Sequence, residues 1–317
     1  MRAVAVRAFR GAPELVDVPP REAAEDEIRV RLQAAGVNPF DWKILDGIFD
    51  GRRPHVFPLI AGVDGAGEVE SVGAQVRRFH VGDRVFGSFL HDPIGVGTYA
   101  ELAPVPERNA IASLPAPVTF VEAAALPTAG MTALEAVDRL ALRSGETLVI
   151  VGASGGVGSI ATGLAAQRGI RVIASARPDS EKLVLALGAT ETVDARAPDL
   201  AVEVRRLRPD GVDGLLDTGS DKPTFARNAA LVRHGGTAIT TTYVADPGAT
   251  AADGVKRVNL EMQPRTELLE RLVAEVAGGR LTVPVERTLP LSDGPTALAE
   301  SRARTSVGKT VLVLTDG

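Results

Sequence analysis

The chain has 317 residues, 45% of them apolar and 24% charged, with a formal net charge of −5. This is ordinary globular composition, long enough for two domains with large cores, and its acidic balance gives no basic footprint for nucleic acid. Cysteine is absent, which removes disulfides, a thiolate nucleophile and cysteine-ligated zinc.

The opening Met1-Arg2-Ala3-Val4-Ala5-Val6 alternates as a strand and lacks the apolar core of a signal peptide, and no run reaches membrane-spanning length. A cytoplasmic protein is expected. From there to about residue 120 the chain reads as short strands between Gly and Pro turns: Ala3 to Val6, Glu27 to Ala34, Ala66 to Val72, Asp83 to Phe86 and Tyr99 to Leu102. Pro104, Pro106, Pro115 and Pro117 punctuate loops. After residue 121 the texture changes to alternating helices and strands. Helices are predicted over Val121 to Ala125, Thr132 to Leu142, Ser180 to Leu187, Leu200 to Leu207 and Phe225 to Val232. The strands between them are Leu148 to Val151, Arg171 to Ala174, Thr190 to Val193, Gly214 to Asp217 and Thr237 to Thr241. Such βα units imply a doubly wound parallel sheet, an α/β fold. A helix near Thr266 to Ala277 and a strand Thr310 to Leu314 follow, and the final strand needs a sheet to join. The expected domains are therefore 1–120 with 258–317, β-rich, and 121–257, dinucleotide-binding.

The most informative stretch is Leu148-Val149-Ile150-Val151-Gly152-Ala153-Ser154-Gly155-Gly156-Val157-Gly158, a strand that feeds a glycine-dense turn and opens onto a helix. Glycines let backbone N–H groups approach a diphosphate lying at the positive end of the helix. In the G-x-G-x-x-G register the first position is Ala153, with Gly155 and Gly158 in place and Gly152 just upstream. At the end of the next strand, Ala174-Ser175-Ala176-Arg177 carries no acid for the ribose 2′-hydroxyl of NAD. Arg177 there, with Lys182 beyond, suits the 2′-phosphate of NADPH; solvated surface charges are the alternative.

Seven ordered segments then make a resemblance: Gly36-Val37-Asn38-Pro39-Phe40-Asp41-Trp42-Lys43, Gly62-Val63-Asp64-Gly65-Ala66-Gly67-Glu68-Val69, Val81-Gly82-Asp83-Arg84-Val85, Gly97-Thr98-Tyr99-Ala100-Glu101, Ala123-Ala124-Ala125-Leu126-Pro127, the glycine turn, and Val307-Gly308-Lys309-Thr310-Val311-Leu312. Over essentially its whole length the chain resembles the medium-chain dehydrogenases/reductases, in the zinc-free quinone oxidoreductase branch. The resemblance implies a GroES-like catalytic domain beside a Rossmann domain. Where the zinc alcohol dehydrogenases of that superfamily place a cysteine, a histidine and a second cysteine, this chain has Asn38, Val63 and Thr128, a poor set for zinc. No metal is expected. His55, His80, His91 and His234 lack ligand spacing and read as solvated or capped.

A site of this kind suits hydride addition to an enone or quinone, whose product anion is delocalised and needs only a donor or two. Candidate donors are Asn38, otherwise a turn residue before Pro39; Lys43 if partly desolvated, otherwise a surface lysine; and Tyr243, which the family's layout puts near the nicotinamide. Asp41 either holds Lys43 or caps the following helix. The resemblance places Thr128 and Thr132 at the nicotinamide, with helix-cap hydroxyls as the alternative. Cofactor contacts are expected from Gly152, Ala153, Ser154, Gly155, Gly156, Val157, Gly158, Ser175, Arg177, Lys182 and Thr241. The loops Phe49 to Phe57 and Phe89 to Val96 are expected to line the substrate. The expected activity is an NADPH-dependent, metal-free reductase of a small-molecule quinone or activated C=C bond, as a homodimer. The alternatives are a dedicated enoyl or enone reductase of a biosynthetic pathway and a non-catalytic NADPH-binding protein.

Overall fold

The computed structural model describes residues 1–197, 199–246, 248, 253–303 and 307–314. The chain divides into two compact units, Met1–Met131 with Pro264–Gly279 and Val285–Gly317, and Thr132–Gln263 with Arg280–Pro284. The division therefore falls about ten residues later than the change of texture near 121, because the helices around it pack first with the β-rich unit.

In chain order the first unit contributes β1 (Arg2–Val6), β2 (Glu14–Asp17), β3 (Glu27–Gly36), α1 (Pro39–Leu45), β4 (Leu59–Ile60), β5 (Asp64–Val72), β6 (Arg84–Ser88), β7 (Leu102–Pro106), β8 (Ile111–Ser113) and α2 (Phe120–Ala124). The helix α3 (Pro127–Leu140) crosses the boundary. The second unit follows with β9 (Thr147–Val151), α4 (Gly156–Gln167), β10 (Arg171–Ala176), α5 (Glu181–Ala186), β11 (Glu191–Asp194), α6 (Leu200–Leu207), β12 (Val212–Asp217), α7 (Lys222–Ala229), β13 (Val232–Thr240) and β14 (Lys256–Asn259). The chain returns to the first unit through α8 (Thr266–Ala277), β15 (Val285–Pro290), α9 (Gly294–Ala303) and β16 (Lys309–Val313).

The first unit is built on a seven-stranded sheet in the order β15-β16-β3-β5-β6-β8, with β7 pairing β3 off that path, beside a three-stranded sheet β2-β1-β4. Its core packs Val4, Ile28, Val30, Leu32, Leu59, Phe89 and Leu312. The predicted final strand does find its sheet: β16 runs antiparallel to β3, with Leu312 opposite Ala35. The predicted strand Tyr99 to Leu102 is displaced. Only Ala100 bridges, to Ala3, and the regular ladder begins at Leu102 and runs through Pro104 and Pro106. A proline lacks the N–H a central strand must donate, but β7 pairs with β3 alone, so the missing donors cost nothing there.

The second unit is one parallel sheet in the order β11-β10-β9-β12-β13-β14, the doubly wound order whose direction reverses beside β9. Leu148, Val149 and Ile150 are fully buried, as a strand covered on both faces must be. The predicted helix Phe225 to Val232 sits three residues earlier. The Asp221 side chain accepts from Thr224 N at its start, and β-branched Val232 instead pairs with Val212 in the sheet. Among the described residues no helix is long and apolar enough to cross a membrane.

Because Leu312 is fully buried against β3, Leu312→Ala is expected to lower stability by roughly 2–5 kcal/mol. Urea unfolding monitored by the fluorescence of Trp42, which packs against the same core, measures it.

Candidate active site

Two sets of residues are held with the precision a site requires, one in each unit. In the second unit, the turn after β9 lies at the carboxyl end of the sheet. Gly152 has φ +77°, and a Cβ there would collide with the Thr218 hydroxyl, which is itself fixed by donating to Val151 O at 2.9 Å. Gly158 passes so near the Gly152 carbonyl that a Cβ would overlap it. Gly155 begins α4 with no side-chain cap. The first N–H groups of α4 are therefore uncapped, at the positive end of a twelve-residue helix. Ala153 points its methyl inward, fully buried, while its N–H donates to Ser175 O at 3.0 Å. Gly152, Gly155 and Gly158 thus take the three glycine roles, Gly155 and Gly158 where the motif expects them and Gly152 one residue upstream of the position held by Ala153. An uncapped cradle in which side chains cannot stand fits a dinucleotide's diphosphate.

Ser175 is buried; Arg177 is half-buried with Nε 3.4 Å from Asp179 Oδ1; Lys182 is exposed on α5. Thr241, half-buried, donates its N–H to Asp217 O at 3.1 Å, and Tyr243 is 60% exposed with φ +61°. Ser175 and Arg177 lie at the carboxyl end of β10 and Thr241 and Tyr243 just beyond that of β13, on the same edge as the glycine turn, with Lys182 on the helix that follows β10. Thr132 opens the second unit on α3.

In the first unit, a polar cluster is buried inside an apolar surround. Asp41, Asp64 and Tyr99 are fully buried, Asn38 is 2% exposed and Lys309 3%. Asn38 joins them. Its N–H donates to Asp41 Oδ2 at 2.7 Å, its Nδ2 donates to Asp64 Oδ2 at 2.9 Å, and its Oδ1 accepts from Lys309 Nζ at 2.7 Å. Tyr99 donates its hydroxyl to Asp41 Oδ2 at 2.7 Å, and Lys309 donates also to Val37 O at 2.8 Å. Thr128, half-buried, donates its N–H to Asp64 Oδ2 and its hydroxyl to Asp64 Oδ1, at 2.9 and 2.7 Å. Burial raises both carboxyls above their ordinary range, Asp41 to about 7, against the opposing pull of their donors and of Lys309. Burial likewise lowers Lys309, and the two carboxylates oppose it.

Several sequence-predicted roles change. The Asn38 amide is spent inside the protein, so it orders the site and does not offer its N–H groups outward. Lys43 is exposed on α1, its ammonium 5.6 Å over the Trp42 ring, without the desolvation its role as an acid requires. Asp41 takes the capping alternative: it accepts from Asn38 N at the start of α1, with no bond to Lys43. Both Thr128 donors are committed to Asp64, so its hydroxyl presents only lone pairs. His91 is buried, its ring nitrogens 3.0 and 3.1 Å from Asp92 O and Pro104 O. Asp64, Tyr99 and Lys309 had no individual role in the sequence, although each sits within a motif. The first unit also carries a small, open depression lined by Ile44, Ile60, Val63, Phe89, His91 and Ile94. The loop Phe89 to Val96 thus lines it, whereas Phe57 stacks edge-on with Phe9 and His55.

A β-rich unit carrying a buried polar cluster, with a doubly wound unit carrying an uncapped glycine turn, defines a pyridine-nucleotide dehydrogenase or reductase. Comparison with known proteins agrees. Residues 24–116 match the alcohol dehydrogenase GroES-like domain and residues 187–312 the zinc-binding dehydrogenase domain. The chain is 31% identical to the chloroplast envelope quinone oxidoreductase homolog of Arabidopsis thaliana, over 94% of this chain and 93% of that one. It is 29% identical to the 2-methylene-furan-3-one reductase of Solanum lycopersicum, over 84% of this chain and 66% of that one. The structure of quinone oxidoreductase from Pseudomonas syringae pv. Tomato DC3000 superposes with TM-score 0.87 at 28% identity, over 99% of both chains. The chain belongs to the medium-chain dehydrogenase/reductase family, as a quinone oxidoreductase-like oxidoreductase.

The zinc in the name of the second matched domain does not fit these residues. Val63 offers an apolar side chain, Asn38 and Thr128 are already bonded to Asp64, and an ammonium holds the Asn38 oxygen that a metal would need.

Asp41 gives a pH dependence with a definite sign. Its carboxyl titrates near 7 when folded and near 3.8 when exposed, so between those values the folded state holds the extra proton and stability falls as pH rises. Above about pH 7 the cost is fully present. Asp41→Asn is expected to remove this term, so that wild type loses on the order of 3 kcal/mol relative to the variant between pH 5 and pH 8. Urea unfolding of both at the two pH values checks the difference.

Proposed function

We propose that the protein is an NADPH-dependent reductase that delivers hydride, without a metal, to a quinone or to the activated C=C bond of an enone or alkenal. The observation that carries the reading is the uncapped α4 N-terminus in its glycine cradle, beside a strand whose last residues carry no acid and are followed by Arg177, itself paired with Asp179. Bound NADPH supplies a hydride at the nicotinamide C4.

The chain's own residues do the rest. Gly152, Gly155 and Gly158 let the backbone reach the diphosphate, and Ser175, Arg177 and Lys182 suit the 2′-phosphate. The depression lined by Val63, Phe89, Ile94 and His91 mixes apolar and polar surface, which suits an uncharged ring or alkene bearing a carbonyl. Tyr243, exposed and at the same sheet edge as the glycine turn, is the hydroxyl available as a donor; burial and then Glu261 hold it above its ordinary range, so it keeps its proton at neutral pH. Kinship with quinone oxidoreductases supports the quinone form of the reading, and kinship with a 2-methylene-furan-3-one reductase the activated-alkene form.

Mixed with NADPH and a panel of quinones, enones and alkenals, the purified protein is expected to deplete the absorbance of the reduced cofactor; silence with every acceptor would refute the reading. Arg177→Glu is expected to raise the Kd of NADPH by on the order of tenfold while leaving that of NADH within about twofold, measured by cofactor fluorescence. Equal effects on both would remove the preference for the phosphorylated cofactor.

A further inference from the structure

We infer that Lys309 is a positioning residue of the site: its ammonium fixes which way the Asn38 amide points and, through it, makes Asp64 the anion that ties down Thr128. The two ends of an asparagine amide have nearly the same shape, and only their partners distinguish them. Here the partners leave no choice. Lys309 Nζ has only hydrogens to offer, so the atom 2.7 Å from it is Oδ1; the atom 2.9 Å from Asp64 Oδ2 is then Nδ2. With Nδ2 and the Thr128 N–H both on Oδ2, Asp64 is left one free oxygen, Oδ1, which takes the Thr128 hydroxyl.

Thr128 is the half-buried end of this chain and the other members are closed to solvent. What reaches the surface of the first unit is thus set by a lysine three hydrogen bonds behind it, through Asp64 and Asn38. Remove the ammonium and Asn38 Oδ1 has no donor, the amide is held through Nδ2 alone, on Asp64 Oδ2 and Gly36 O, and Asp64 loses the cation that faces it in the interior. Asp41 is the second carboxylate near Lys309, but the Asp64 charge acts on it more strongly.

The kinetic part of the test rests on the proposed reductase activity; the stability part does not, so the two readings fail separately. Lys309→Met is expected to lower kcat with NADPH and 1,4-benzoquinone by about tenfold or more while the KM of NADPH moves less than about threefold, because the glycine turn holding the cofactor is untouched. Its melting temperature is expected to fall by more than about 5 °C. The double variant Lys309→Met with Asp64→Asn, in which no unpaired charge remains on Asp64, is expected to recover most of that fall, and Lys309→Met with Asp41→Asn to recover less. A lysine that merely fills space predicts no such rescue. A double variant with Asp64→Asn that fails to fold, or melts as low as Lys309→Met, overturns the pairing. If Lys309→Met keeps wild-type kcat in an enzyme that turns over, the positioning role is overturned.

Discussion

Two carboxylates and an ammonium lie together at 3% exposure or less, and the first unit brings donors to both carboxylates, leaving Asp41 Oδ1 as the one oxygen of theirs without a partner among the described residues. Desolvating a charge costs several kcal/mol, and in the interior only directed donors and an opposite charge offset it. The donors come from widely separated places: Asn38 before α1, Tyr99 before β7, Thr128 in the first turn of α3, and Lys309 at the start of β16. Each element end is held where its donor must be. Moving any of them by an ångström would leave a buried charge short of a partner, a larger penalty than the loss of an ordinary apolar contact. The cluster consequently acts as a register pin for segments that share no local sequence relation.

That physical difference explains what could be read from the sequence. The glycine turn is legible because its requirement is local: a positive φ at Gly152 and a close approach at Gly158 fall within seven residues of one another, and only glycine meets both. Alternation and helical spacing likewise placed Leu200–Leu207 and Thr266–Ala277 at their observed limits. The polar cluster is not local. Asn38 meets Asp64 across 26 residues, Tyr99 meets Asp41 across 58, and Lys309 meets Asn38 across 271. A sequence shows that these residues exist in motifs, but which polar groups will consume one another depends on the fold. Hence Asn38 reads as an available donor and is in fact saturated. Of two lysines in comparable motifs, Lys43 falls on the exposed face of α1 beside buried Ile44 and Leu45, whereas Lys309 falls on an interior strand. Pro104 and Pro106 mislead for a related reason, since edge position is a property of the sheet and not of the strand.

The cluster also bears on the chemistry the site can support. A catalytic metal polarises a substrate oxygen through a coordination position it keeps open. Lys309 offers nothing equivalent, for its ammonium is directed inward to Val37 O and Asn38 Oδ1, and its charge is balanced by the carboxylates beside it. An anion spread over a quinone ring or an enone needs less help, since much of its stabilisation is internal, and a single hydroxyl together with correct placement against a hydride donor supplies the remainder. The same buried charges that hold the first unit together are thus spent on one another and on the backbone that surrounds them.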